Sequence, residues 1–102
     1  MSERTNLYIK EYLSGSEVLV AVCDQDLVGR RFEDGKLRLT VSERFYKGVE
    51  ATEEDLIRSL QQATIANLVG RRAVQCALDH KFIEETSILV VDGVPHAQML
   101  KL

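Results

Sequence analysis

Apolar and polar positions divide the chain into short segments, each with its own period. Residues 6–13 and 17–23 are rich in Leu, Val, Ile and Tyr, and Ser14-Gly15-Ser16 separates them. This predicts two strands joined by a tight hairpin. Asp24-Gln25-Asp26 then offers a cap for a single helical turn over residues 27–31. Beyond the turn signal Asp34-Gly35, Leu37, Leu39 and Val41 alternate with Lys36, Arg38 and Thr40. Period two with one polar face predicts a half-buried antiparallel strand. The following SERFYKGVEA reads as a connection whose Phe45 and Tyr46 fold onto the core.

Thr52-Glu53-Glu54-Asp55 is the strongest local signal. A Thr hydroxyl can accept from the orphan amide of Asp55, and three acids suit the positive end of a helix dipole. Leu56, Ile57, Leu60, Ala63 and Thr64 then gather on one helical face. A straight helix over residues 53–80 would be roughly 42 Å long, too long for a domain whose radius of gyration is about 13 Å. Its apolar face also loses coherence, because Ile65, Ala66, Leu68 and Val69 point all round the axis. A new stripe of Ala73, Val74, Ala77 and Leu78 begins beyond Gly70, so the pattern predicts a break near Asn67–Gly70 between two packed helices.

The tail SILVVDGVPHAQML predicts two strands around Asp92-Gly93, with Pro95 placing the second at a sheet edge. The whole order, β-β-(short α)-β-α-α-β-β, implies an α+β domain: a small, mainly antiparallel sheet of about five strands against two consecutive helices. One domain spanning residues 1–102 is expected, with no linker or low-complexity tract.

Composition narrows the function classes. The chain is 45% hydrophobic and 28% charged, the balance of a soluble globular protein. Its net charge of −3 argues against a generally basic nucleic-acid coat and leaves room for a local basic patch. No apolar run approaches a membrane span or a secretory signal. Cys23 and Cys76 are expected to be reduced, buried thiols of a cytoplasmic protein, with a single disulfide as the minor alternative.

No motif specifies a reaction. The sequence has no metal-spaced His pair, no HExxH, no Gly-rich phosphate loop and no GxSxG elbow, so no cofactor and no metal are expected. A Cys23–His96 pair oriented by Asp24 or Asp92 is conceivable. Against it, Cys23 closes an apolar strand, and His96 reads as a polar residue of an edge strand. The pentapeptide LVGRR occurs twice, ending in Arg30-Arg31 and Arg71-Arg72, with unrelated flanks. If Gly70 opens a helix, Arg71 and Arg72 occupy its first turn, where free amides and guanidiniums together make an anion site. Ordinary pairing with Glu33, Asp34, Asp79 or Glu84 would instead make these arginines a solvated face.

Together LVAVCDQDLVGRRFEDGKLRLTV, SERFYKG, EATEEDL, ATIANLVGRRAV and GVPHAQ cover nearly the whole chain. In these segments it resembles an archaeal family known as domain of unknown function number 424. The resemblance implies a cytoplasmic archaeal protein of compact α+β fold, and points toward translation and RNA handling. It implies no established activity, cofactor or catalytic residue.

These readings converge on a non-enzymatic binding module for RNA or an acidic protein of the information-processing machinery, without a membrane. Its expected surface is Arg71, Arg72 and Asn67 with His96 and Gln98, and Arg30 and Arg31 as outliers. ANLVGRR and Pro95-His96-Ala97-Gln98 should then lie close together. The alternatives are a small enzyme using His96 and Cys23, and a self-associating structural protein whose Pro-bearing edge limits open-ended pairing. The sequence leaves monomer or homodimer undecided.

Overall fold

The computed structural model describes residues 4–101. Strand β1 (Leu7–Ser14) turns at Gly15-Ser16 into β2 (Glu17–Asp24), an antiparallel pair in full register from Leu7 opposite Asp24 to Ser14 opposite Glu17. A 3-10 turn at Gln25–Leu27 leads to a second hairpin, β3 (Arg31–Asp34) and β4 (Leu37–Thr40). The short helix α1 (Glu43–Tyr46) is capped by the Ser42 hydroxyl, which accepts from the Phe45 amide. It leads into β5 (Val49–Ala51), which pairs with β1. Helix α2 (Glu53–Gln62) opens on the expected reciprocal cap. The Asp55 amide donates to Thr52 Oγ1 at 3.1 Å, and the Thr52 amide donates to Asp55 Oδ2 at 2.9 Å.

Residues 65–69 correct the helical expectation. They form β6 (Ile65–Val69), a strand, and the second helix, α3 (Arg71–Asp79), follows only after Gly70. The two helices are therefore not consecutive. β6 lies parallel to β2 and antiparallel to β8, an interior strand: Ala66 and Leu68 are buried under the helices, Val69 is buried on the other side, and Ile65 and Asn67 on that side are half-buried. Apolar residues on both faces leave no clean apolar–polar alternation, which is why they seemed to point in every direction.

Strands β7 (Leu89–Val91) and β8 (Val94–Leu100) meet at Asp92-Gly93, where both residues take positive φ, the geometry of a two-residue hairpin turn. The six-stranded mixed sheet has the order β5-β1-β2-β6-β8-β7. Pro95 thus sits in an interior strand, contrary to the edge expected for it. It is tolerated because it lies beside Gly70, just past the end of β6, and its carbonyl accepts the Gly70 amide at 2.9 Å. The sheet edges are β5 and β7, neither of which contains Pro, so the proposed brake on open-ended pairing does not operate.

The sheet divides the core in two. On one face α2 and α3 pack Leu56, Leu60, Ala73, Val74 and Ala77 against Leu7, Val20, Val22, Leu68 and Met99. On the other, the β3–β4 hairpin and α1 bring Phe32, Leu39, Val41 and Tyr46 over Ala21, Cys23, Val69, Val91 and Val94. The architecture is α+β, with a radius of gyration of 12.8 Å. No helix among the described residues is long and apolar enough to cross a membrane. Cys23 and Cys76 are both buried and unpaired, one in each half of the core, so the disulfide alternative does not hold.

Candidate binding cleft and sheet face

The only parallel pair among the described residues, β2 and β6, ends its two strands side by side, with Cys23 opposite Val69. One residue further on, β2 reaches Asp24 and β6 reaches Gly70. Along β2, Val18, Val20 and Val22 face the helices, and the same alternation turns Asp24 toward α3. Its carboxylate, only 3% exposed, accepts from the amides of Arg72 (3.0 Å) and Ala73 (2.9 Å). Asp24 therefore caps α3 from a distant strand, where the capping position itself is held by Gly70 and supplies no side chain.

Gly70 is required by this contact. Its φ of 109° and ψ of 158° lie in a region that suits only glycine. A Cβ placed there would come within 2.7 Å of both carboxylate oxygens of Asp24. Burial pushes the Asp24 carboxyl above its ordinary value; the two amide bonds and Arg72 pull it back, while Asp26 pushes it further up. The helix-terminus anion site expected from the sequence is thus filled by the protein's own carboxylate. An external anion would have only the guanidiniums.

Those guanidiniums border a cleft of about 440 Å3 at the ends of β2 and β6, lined by Asp24, Asp26, Leu27, Arg71, Arg72 and the hairpin tip Gly93–Pro95. Arg71 and Arg72 are exposed, and among the described residues no carboxylate oxygen lies within 4.0 Å of either side chain. The pairing of arginines with Glu33, Asp34, Asp79 or Glu84 is likewise not seen. Arg30 and Arg31 follow Leu27, which lines the cleft, and the Arg30 amide donates to the Leu27 carbonyl at 3.1 Å. Arg30 lies over the Phe32 ring at 5.1 Å, and Arg31 borders a separate hollow with Glu33 and Arg38.

ANLVGRR and PHAQ are direct neighbours: Asn67 pairs with Gln98 and Val69 with His96 across β6 and β8. Their side chains do not all share one surface with the arginines. Asn67, His96 and Gln98 project from the sheet face opposite the helices, whereas Arg71 and Arg72 rim the cleft at the strand ends. β8 connects the two, since Val94 and Pro95 line the cleft and His96, Gln98 and Leu100 border a shallow hollow with Ser87 and Leu89. Burial pushes the His96 imidazole below its ordinary value, so it is neutral on this face near pH 7.

Cys23 and His96 are on the same face with Val69 between them, two interstrand spacings or roughly 10 Å apart. Cys23 is 0% exposed, and its thiol is pushed up to about 12, first by burial and then by Asp24 and Asp26. The sulfur is closed to a substrate and far from its supposed base, which overturns the catalytic pairing. Among the described residues no three His, Cys, Asp or Glu side chains converge as a metal site.

Sequence reasoning missed Asp24 as a component of the cleft. The signal available was an acid ending an apolar strand, LVAVCD, where an unpaired buried carboxylate would be costly. It also missed a stacked pair, Tyr12 and Phe45, with ring centroids 5.3 Å apart and planes inclined by 15°. The Tyr12 hydroxyl donates to the Phe45 carbonyl at 2.8 Å.

Residues 12–102 match the family described as "Protein of unknown function (DUF424)". The chain belongs to this family. A solved structure similar to this DUF424 chain is that of an uncharacterized conserved protein from Methanopyrus kandleri, with a TM-score of 0.74 and 24% identity over 94% of each chain. That likeness establishes a shared fold. A comparison with curated proteins finds no match.

Proposed function

We propose that this DUF424 protein is a non-enzymatic, cytoplasmic binding module whose partner is RNA, held through its phosphates by Arg71 and Arg72. The observation that carries the reading is two adjacent exposed guanidiniums, free of carboxylates within 4.0 Å among the described residues, at the mouth of a cleft. Unneutralised arginines at the start of a helix are unfavourable for the helix itself. They are well suited to bidentate contact with phosphate oxygens. The net charge of −3 confines such binding to this patch and so favours a few phosphate contacts over a broad electrostatic coat. Two buried free thiols suit a reducing compartment.

The test is fluorescence anisotropy with a labelled RNA oligonucleotide across a salt series. Affinity should fall with rising salt and be lost in the Arg71→Glu/Arg72→Glu protein, while Arg30→Glu/Arg31→Glu has the smaller effect. Unchanged binding in the Arg71/Arg72 variant would reject this surface. Capture of an acidic protein in place of RNA, lost in the same variant, would reassign the partner.

A further inference from the structure

The face of the sheet opposite the helices is only half covered. The row Tyr8, Cys23, Val69, His96 and Leu89 crosses β1, β2, β6, β8 and β7, and the β3–β4 hairpin and α1 bury its centre. Further along the strands the cover thins: Ala21 is still buried beneath it and Tyr12 stacks on Phe45 of α1, but Asn67 and Gln98, then Leu19, Ile65 and Leu100, lie outside the buried cluster. Leu100 is 67% exposed, and Leu19 and Ile65 belong to neither half of the core. In the middle of this open area Gln98 Nε2 donates to Asn67 Oδ1 at 2.8 Å.

We infer that this open half of the sheet binds a single-stranded segment of RNA, with the Asn67–Gln98 pair hydrogen-bonding the Watson–Crick edge of an unpaired base. The inference rests on the proposed RNA-binding function and adds the form of RNA and the residues that read it. The internal amide bond uses one donor of Gln98 and one lone pair of Asn67. It leaves the Asn67 amide hydrogens and the Gln98 carbonyl oxygen as a donor and an acceptor with no hydrogen-bond partner among the described residues. Every unpaired base offers an adjacent donor and acceptor on that edge, and in a duplex they are already used. Leu19, Ile65 and Leu100 supply apolar contact for base faces around the pair.

Charge agrees with this occupant. In a chain with 16 acidic residues, the described strands of the six-stranded sheet place two carboxylates on this face: Glu50 on β5, opposite Tyr8 in the covered row, and Glu17 at the far end of β2, where the Thr64 hydroxyl donates to it at 2.7 Å. Lys10 and Arg44 stand at the β1 end, beside the Tyr12–Phe45 stack, around a hollow of about 330 Å3. At the other end β8 leads to the Arg71–Arg72 cleft. Cations at both ends and neutral amides between them fit a strand whose phosphates are held at its ends and whose bases lie on the sheet.

The experiment compares a short unstructured RNA oligonucleotide with the blunt duplex it forms with its complement, on wild type, Asn67→Leu/Gln98→Leu and Gln98→Leu alone. Wild type should prefer the single strand. The double variant should bind it about tenfold more weakly and the duplex equally well, with an unchanged salt slope because no charge is removed. Gln98 is exposed, so its single variant keeps the fold and should show part of the loss. Equal affinity of wild type for both RNAs, or a preference retained in both variants, would overturn this inference and leave the arginine-dependent reading standing. Absence of any RNA binding would overturn both. Self-association in light scattering that disappears with Gln98→Leu would assign the face to a second copy of the chain and overturn the RNA inference.

Discussion

Gly70→Ala tests the joint between β6 and α3, and its cost can be worked from two separate sources. The first is backbone strain: φ 109° and ψ 158° are suited to glycine alone, and holding another residue there costs about 1–3 kcal/mol. The second is the Asp24 cap. A Cβ at position 70 would meet the carboxylate carbon at about 2.4 Å, so the carboxylate must withdraw from the Arg72 and Ala73 amides. Losing a helix cap costs about 0.5–2 kcal/mol, and a buried carboxylate left without partners adds about 1–3 kcal/mol to that. A total of about 3 kcal/mol or more is expected, which is a large share of the ~5–15 kcal/mol that holds a typical domain. Urea denaturation followed by far-ultraviolet circular dichroism measures it, the chain having no Trp. Gly35→Ala is the control, because Gly35 also has positive φ (63°) but a Cβ there meets nothing within 4 Å. If the two substitutions cost the same, the Asp24 contact adds nothing and the reasoning fails. In an Asp24→Ala background the excess cost of Gly70→Ala should shrink by at least ~1 kcal/mol, the coupling expected of touching groups.

Two further outcomes concern titrating groups. Burial raises the Cys23 thiol to about 12 and the Cys76 thiol to about 11, so neither should react with a thiol reagent in the native protein, and both should react on unfolding. Fast labelling of Cys23 under native conditions would contradict the buried core on the hairpin side. The His96 imidazole is lowered from its ordinary value by burial, so the unfolded chain binds a proton as pH falls through about 6.5 while the native protein does not. Stability should therefore decline as pH falls from 7 through that value toward the native pKa. His96→Gln should flatten the decline in a pH series of denaturant midpoints, and an unaltered slope would show that His96 is not its source.

Local chemistry was legible wherever donor and acceptor lie close in sequence. Thr52 and Asp55 are three residues apart, and the Gly15 and Asp92-Gly93 turns are set by backbone preference, so these elements stood out. β6 did not, because Ile65 and Val69 make its second face apolar as well, which erases the apolar–polar alternation that marks a strand. The Asp24 cap spans from β2 to α3, and no local pattern encodes a carboxylate arriving from that distance. Pro95 misled for a related reason: its missing amide matters only if a partner stands opposite, and there β6 has already ended. Asn67, His96 and Gln98 were visible as polar residues among apolar ones. That Asn67 and Gln98 form a bonded pair on an open sheet face depends on register, which tertiary packing fixes.

The parallel seam between β2 and β6 also bears on how the chain reaches this structure. The three hairpins, β1–β2, β3–β4 and β7–β8, each close over a short turn and can form within microseconds. The seam cannot, because everything from Gln25 to Thr64 must first be looped out, with the β3–β4 hairpin going to one side of the sheet and α2 to the other. Entropy is lost on that closure before either half of the core repays it. Joining β2 to β6 is thus the step expected to set the folding rate. The Asp24 clasp at the end of the seam then makes it hard to reopen.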